Sequence, residues 1–476
     1  MEGVEFMKGD RAHDVAIIGA GVVGLFIAYH LSKYDVDVVM VEKEAEPGFG
    51  VSKGHAGVLH VVQLPLKSTK SALCLQGNRM YDAVAAELKV KLWRLPALLV
   101  ARSFGQLLIM PLIYAVLRLY YGAKGFDVSV VNGAELRALE PNVIGYAAIR
   151  ISGYGVIDSF DLVYKLHDVS RSRGVKFLFN TEVVGIEIEP DCVVLRTNRG
   201  PVKSKFLVNA AGLESDRIAN LSGAEESLVT KRGAMLVFEG LQVRSVVAPL
   251  QLVRGGETKG GGIIPTVWGR TIWGPNLARG GSRDDKGVYP EDVEVLTARF
   301  GGIVRSRGRL LKAYAGVRPS HVRGDFVIAY SPKTFRIVNL VGVESPGFTA
   351  APAIAVIVLN MLKRAGLDLE LKTGLRDPEF PRKTRELLQV DPTAVKGPRG
   401  IVVCPCMSVS LADIEEAVRA GSRTLDGVMF RTGLGMGSCQ GQHCLGRAII
   451  EVLRLTGLNP EALVKGSEGS WLVERS

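Results

Sequence analysis

The stretch DVAIIGAGVVG, residues 14–24, restricts the fold of this chain more than any other. A polar residue leads into the apolar run Val15–Ile18, and then into Gly19-Ala20-Gly21-Val22-Val23-Gly24, which has the spacing G-x-G-x-x-G. Residues 22–34 carry apolar side chains on a helical period, and 37–43 form a second apolar run containing Glu42 and ending on Lys43. Strand, tight turn, helix and strand within about 30 residues make the unit that binds a dinucleotide. Gly19 permits the turn, Gly21 lets backbone approach a pyrophosphate, and Gly24 lets the helix pack closely. The helix N-terminus faces the anion. Glu42 is placed to accept from ribose hydroxyls and to disfavour a 2′-phosphate; Lys43, beside it, joins the cofactor-binding set.

The rest of the chain reads as α/β. Segments 160–173 and 350–364 have helical periodicity. Segments 175–180, 192–197, 206–212 and 336–345 read as strands, and 225–330 reads as strand-rich. After Gly366 the composition changes: 376–400 is charged and interrupted by Pro378, Pro381, Pro392 and Pro398. The expected organisation is a main unit over 13–370, a linker over 371–398, a small domain over 399–460 and a tail over 461–476. The net charge is +11, but the 59 basic residues are dispersed, which argues against a nucleic-acid surface. The N-terminus is polar and lacks an apolar signal core, so a cytoplasmic, thiol-reducing location is expected, with the inner face of the membrane left open. The longest apolar run, 107–117, is shorter than the roughly 20 residues a bilayer crossing needs. Segment 104–122 is read as a core or subunit-interface helix broken at Pro111, in preference to a peripheral membrane helix with Tyr114, Tyr120 and Tyr121 at the headgroups.

Four of the six cysteines fall near the end. Cys404 and Cys406 form C-x-C, and Cys439 and Cys444 form C-x4-C. Sets of thiolates suit zinc, copper(I) or an iron–sulfur cluster. C-x-C is awkward for a tetrahedral zinc knuckle, although His443 adjoins Cys444. Cys74 and Cys192, in a helix-like and a strand-like segment, read as buried structural thiols.

Five further stretches occur in order: SKGHAGVLH (52–60), FNTEVVGIE (179–187), VNAAGLESDRIA (208–219), AYAGVRPS (313–320) and VGVESPGFTAAPAIA (341–355). Together with the glycine turn they resemble the D-amino-acid-oxidase-like FAD superfamily over about residues 13–365, and within it glycerol-3-phosphate and L-2-hydroxyglutarate dehydrogenases. That resemblance implies FAD, with Val183 near the adenine, Ala211 and Gly212 near the diphosphate, and Ser52 and Lys53 along the cofactor. Gly347, Phe348 and Thr349 would open a helix facing the pyrimidine edge of the flavin, where a reduced ring carries negative charge. It further implies His60 as the base that takes a hydroxyl proton, with His55 as the spare, and Arg318 as the clamp on an anionic substrate. The sequence departs from relatives here: His55-Ala56-Gly57 stands where Asn-Ser-Gly is usual. Arg254, Lys259 and Arg270 read as solvated loop charges.

The cysteine region, from Ile401 to Leu453, resembles the bacterioferritin-associated-ferredoxin-like [2Fe-2S] domain, with Arg431 and Thr432 exchanged relative to the family order. The resemblance implies Cys404, Cys406, Cys439 and Cys444 as cluster ligands. The expected fold is therefore α/β: an FAD-binding Rossmann-like domain, an interleaved sheet-containing substrate domain, and a small helical [2Fe-2S] domain. The expected activity is oxidation of a small anionic alcohol, glycerol 3-phosphate first, with electrons passing to a quinone or partner protein. An L-2-hydroxy acid or proline-type dehydrogenase, and an electron-transfer subunit without its own substrate, stay open, as does oligomerisation.

Overall fold

Val15, Ala16 and Ile17 are wholly buried because His13–Ile18 is a central strand, covered on both faces. In this computed structural model, which describes residues 12–251, 261–279, 281–375, 377–467 and 469–473, that strand pairs in parallel with Val38–Val41 on one side and Val202–Asn209 on the other. Lys176–Leu178 and Thr334–Val341 extend the parallel run, and Val327–Ser331 closes one edge antiparallel. The hairpin Val183–Ile188 and Val193–Thr197 completes eight strands. Helices Val22–Leu31, Ser159–Ser172, Thr69–Glu87 and Gly347–Arg364 supply the apolar layer over this sheet.

A second sheet of ten strands is mostly antiparallel and is built from Leu92–Ala101, Ala147–Ile157, Leu228–Glu239 and Leu310–His321 with their neighbours. The strand-rich reading of 225–330 matches it, except that Pro290–Phe300 is a helix, with Leu296 and Phe300 buried under the sheet. Segment 104–122 differs from expectation. It is one continuous helix through Pro111, without the expected break, and it lies on the surface, which removes the core reading but not the subunit-interface one. Cys74 is buried as expected. Cys192 is half-exposed, because it precedes strand Val193–Thr197 in a turn rather than lying within the strand.

The stretch read as a linker holds helix Thr384–Val390 and is tied down by Lys383, which reaches Asp161 at 2.8 Å. Beyond it, helices Leu411–Arg419, Leu425–Thr432 and Leu445–Thr456 close a small core of their own around Ile414, Val428 and Val452.

Candidate active site and cluster site

One cavity of about 730 Å³ runs from the glycine turn to the second sheet. At the turn, two glycines are fixed by packing. Gly19 has φ +100°, and a Cβ there would sit 2.6 Å from the Ala210 carbonyl oxygen; a Cβ on Gly24 would sit 2.1 Å from the Gly19 oxygen. Gly21 instead opens into the cavity at the start of helix Val22–Leu31. The Val22 N–H donates to Ser52 Oγ at 3.0 Å, which puts a polar side chain where that helix offers its positive end. Glu42 accepts from the Ala20 N–H at 2.6 Å and the Glu44 N–H at 2.8 Å. Burial pushes its carboxyl up to about 7 against those two bonds. Glu42, Lys43, Ser52, Val183, Ala211 and Gly212 all line this half of the cavity, so its walls fit an extended dinucleotide.

The other half gathers His55, His60, Arg318, Gly347 and Phe348. Helix Gly347–Arg364 begins here, held close to Thr69–Glu87 because Gly77 has no side chain: a Cβ there would sit 2.1 Å from the Thr349 oxygen. His60 is pinned by its backbone. Its N–H donates to Thr349 Oγ1 at 3.1 Å, and its carbonyl accepts from Asn78 Nδ2 at 2.9 Å. Thr349 thus supports the site from behind without lining the cavity. Asn78 was not foreseen; no motif marks it.

His55 stacks on Phe348 with ring centroids 3.9 Å apart, and its Nδ1 accepts from the Gly57 N–H at 2.8 Å. Burial, then the neighbouring His60 and Arg318, lower its pKa to about 3. A neutral imidazole with Nδ1 already engaged is a poor proton acceptor, which sets His55 apart from the proton-transfer role. Arg318, on strand Leu310–His321, is lowered by burial and supported by the charge of Glu344, yet stays a cation at any working pH. Glu344 is itself held by Ser320 Oγ at 2.6 Å and Lys70 Nζ at 3.5 Å.

Two residues named from the sequence stand elsewhere. Lys53 turns from the cavity to Asp426, at 2.7 Å, in the small domain. Arg270 lies on strand Arg270–Gly274, outside the cavity. Arg254 and Lys259 lie outside the described residues.

In the small domain, Cys404 ends strand Val402–Cys404, Cys406 follows in a turn, and Cys444 caps helix Leu445–Thr456. The thiols meet in two pairs, Cys404 with Cys444 and Cys406 with Cys439. The first pair is buried, whereas Cys406 is exposed and Cys439 half-exposed. Gly437 makes room: a Cβ there would sit 2.3 Å from Cys406 Cβ. Two pairs suit two irons, each taking two thiolates. Among the described residues no three His, Cys, Asp or Glu converge as a single-ion site requires, and His443 points to solvent. Burial and then Cys404 push the Cys444 thiol up to about 12, which a bound cation would reverse.

The small domain is docked against the first sheet's helices. Arg431 grips Asp168 with two bonds, 2.6 and 2.9 Å, and lies over the Tyr164 ring at 4.1 Å. Glu46 accepts from the N–H groups of Arg423 and Thr424 at 2.8 and 3.2 Å, capping helix Leu425–Thr432 from across the boundary. Phe430 stacks on Phe160 at 4.1 Å, and Arg309 donates to the Ser438 carbonyl at 3.0 Å, next to Cys439. The unusual Arg431 is therefore one of the residues that tie the two parts together, beside Asp426, Arg423, Thr424 and Phe430.

Residues 14–361 match the DAO family of FAD-dependent oxidoreductases. The chain belongs to that family. Residues 402–453 match the BFD-like [2Fe-2S] binding domain, so this family member carries its own cluster domain behind the flavin unit. The chain is similar to a glycerol 3-phosphate dehydrogenase of Caloramator mitchellensis, 28% identical over 97% of this chain and 98% of that protein. It is also 28% identical to an L-2-hydroxyglutarate dehydrogenase of Escherichia coli K12, over 46% of this chain and 51% of that one. In structure it resembles an L-α-glycerophosphate oxidase of Mycoplasma pneumoniae with FAD bound, with a TM-score of 0.71 and 25% identity over 78% of this chain and all of that one.

Proposed function

We propose that this FAD-dependent oxidoreductase oxidises sn-glycerol 3-phosphate to dihydroxyacetone phosphate and passes the electrons through its own [2Fe-2S] cluster to a quinone or a partner protein. The observation that carries the reading is the meeting of His60 and Arg318 at one end of the cavity whose other end is the glycine turn. The full-length similarity to the Caloramator dehydrogenase supports the substrate.

The bound flavin supplies the hydride acceptor. Arg318 holds the phosphate and so orients the adjacent carbinol. His60, fixed through Thr349 and Asn78, takes the hydroxyl proton. The N-terminus of helix Gly347–Arg364 favours negative charge at the cavity end it faces. The walls Val58, Met235 and Ile264 keep water from this end.

A second reading, oxidation of an L-2-hydroxy acid, rests on the likeness to the Escherichia coli enzyme and on the fact that Arg318 grips a carboxylate as readily as a phosphate. Anaerobic addition of each compound decides. Bleaching of the flavin by sn-glycerol 3-phosphate and not by L-2-hydroxyglutarate or proline supports the first reading. The reverse pattern replaces it. Bleaching by none of them points to an electron-transfer subunit.

A further inference from the structure

The helix Phe104–Gly122 turns the wrong face to solvent. Phe104, Leu108, Leu112 and Leu119 are 73%, 66%, 69% and 78% exposed, with Val116 beside them. No charged residue occurs from Phe104 to Leu117. A helix lying on a water-soluble body ordinarily puts its polar residues there. Exposed Leu64 lies alongside, because its loop is held to the helix through the Gln63 N–H, which donates to Tyr121 Oη at 3.0 Å.

We propose that this face docks on a lipid bilayer that carries anionic headgroups. The helix lies flat on it and does not cross. Strand Leu92–Ala101 before the helix and strand Val128–Asn132 after it both pair with Ala147–Ile157, so both ends return to the same sheet. The inner face, with Met110, Leu117 and Tyr121, is buried in the protein. Cations surround the apolar stripe. Arg102 precedes it, Arg118 and Lys124 end it, and Lys67 follows Leu66, whose carbonyl accepts from Tyr120 Oη. Arg118 reaches Asp127 at 3.5 Å and is still 54% exposed. From Val61 to Phe126 the sequence contains only two acids, Asp82 and Glu87.

An apolar stripe with a cationic rim is complementary to acyl chains beneath anionic headgroups. It is not complementary to itself, since a second copy laid on the same stripe brings Arg102 and Arg118 against like charges. Leu112, Ile113, Val116 and Leu117 also wall the cavity, so docking sets that wall against the bilayer. The inference stands on this surface and not on the substrate proposed above.

The test uses the flavin-loaded full chain and two kinds of vesicle, phosphatidylcholine alone and phosphatidylcholine mixed with phosphatidylglycerol. The protein should sediment with the mixed vesicles and about tenfold less with the neutral ones, and salt should weaken the difference. The double variant Leu108→Glu/Leu119→Glu, whose side chains are outside the cavity lining, should bind mixed vesicles at least about tenfold less. It should keep its flavin absorbance and its rate of flavin reduction. Absence of wild-type binding to either vesicle overturns the proposal, as does equal binding of the variant. So does a variant that merely dissociates a wild-type dimer on sizing chromatography; the face would then be an interface between copies.

Discussion

Replacing Arg431 by alanine removes the centre of the contact between the flavin unit and the cluster domain. Its guanidinium side chain is 10% exposed and Asp168 is 19% exposed, so the pair is largely withdrawn from water. Burial alone would raise the Asp168 carboxyl; Arg431 beside it, with His167, holds it instead at about 2, from an ordinary 3.8. A shift of nearly two units corresponds to about 2.5 kcal/mol. Removing one partner of a buried pair costs about 3–5 kcal/mol, and His167, at 2.8 Å, still covers part of Asp168. The variant should therefore weaken docking by about 3 kcal/mol, a shift of roughly a hundredfold toward the undocked arrangement. Trypsin cleavage in 377–400 and hydrogen exchange in helix Leu425–Thr432 report that shift. Cluster reduction after rapid flavin reduction should slow, while flavin reduction by substrate keeps its rate. Arg431→Lys, with the charge but without the fork, should fall between. Asp168 is depressed, so its contribution is complete above about pH 4 and is lost as pH falls through about 2. Wild-type docking should weaken over that window and the alanine variant should not. Unchanged cleavage, exchange and cluster reduction in Arg431→Ala would refute the reasoning.

Other outcomes follow from the cavity. Arg318→Ala should raise KM for an anionic alcohol by about 100-fold or more, and far less for a neutral analogue; equal changes would remove the clamp. His60→Ala should slow flavin reduction by about 10²–10⁴-fold, whereas His55→Ala should slow it much less, as expected of a stacked neutral ring. Gly24→Ala should yield a chain depleted in flavin, because the new Cβ falls 2.1 Å from the Gly19 oxygen; full flavin occupancy would contradict the assignment of that turn.

The parts that were legible in the sequence are those that impose a short, recognisable spacing of residue types. The glycine turn is one: its G-x-G-x-x-G spacing shows in the string, although Gly19 answers to the distant Ala210 carbonyl as well as to its own positive φ. The cysteine frame is another, because C-x-C and C-x4-C stand out in the string, although the thiols pair across the two motifs, Cys404 with Cys444 and Cys406 with Cys439. Contacts formed by distant residues left no signal. Lys53 and Asp426 are 373 positions apart, so Lys53 read as a cofactor residue when its ammonium serves the domain boundary. Asp168 and Arg431, 263 apart, gave only an unexplained departure from a family pattern. The core reading of segment 104–122 failed for a different reason. Apolar content measures the tendency to leave water and does not say what provides the cover, so the sequence could not separate a core helix from one whose apolar face this chain leaves open.

The most direct test of the account is one anaerobic mixing experiment on the flavin- and iron-loaded protein. On adding sn-glycerol 3-phosphate, the flavin absorbance should bleach first, and the paramagnetic signal of a reduced [2Fe-2S] cluster should then grow in the same chain. A protein that dithionite reduces but sn-glycerol 3-phosphate leaves fully oxidised would contradict the account.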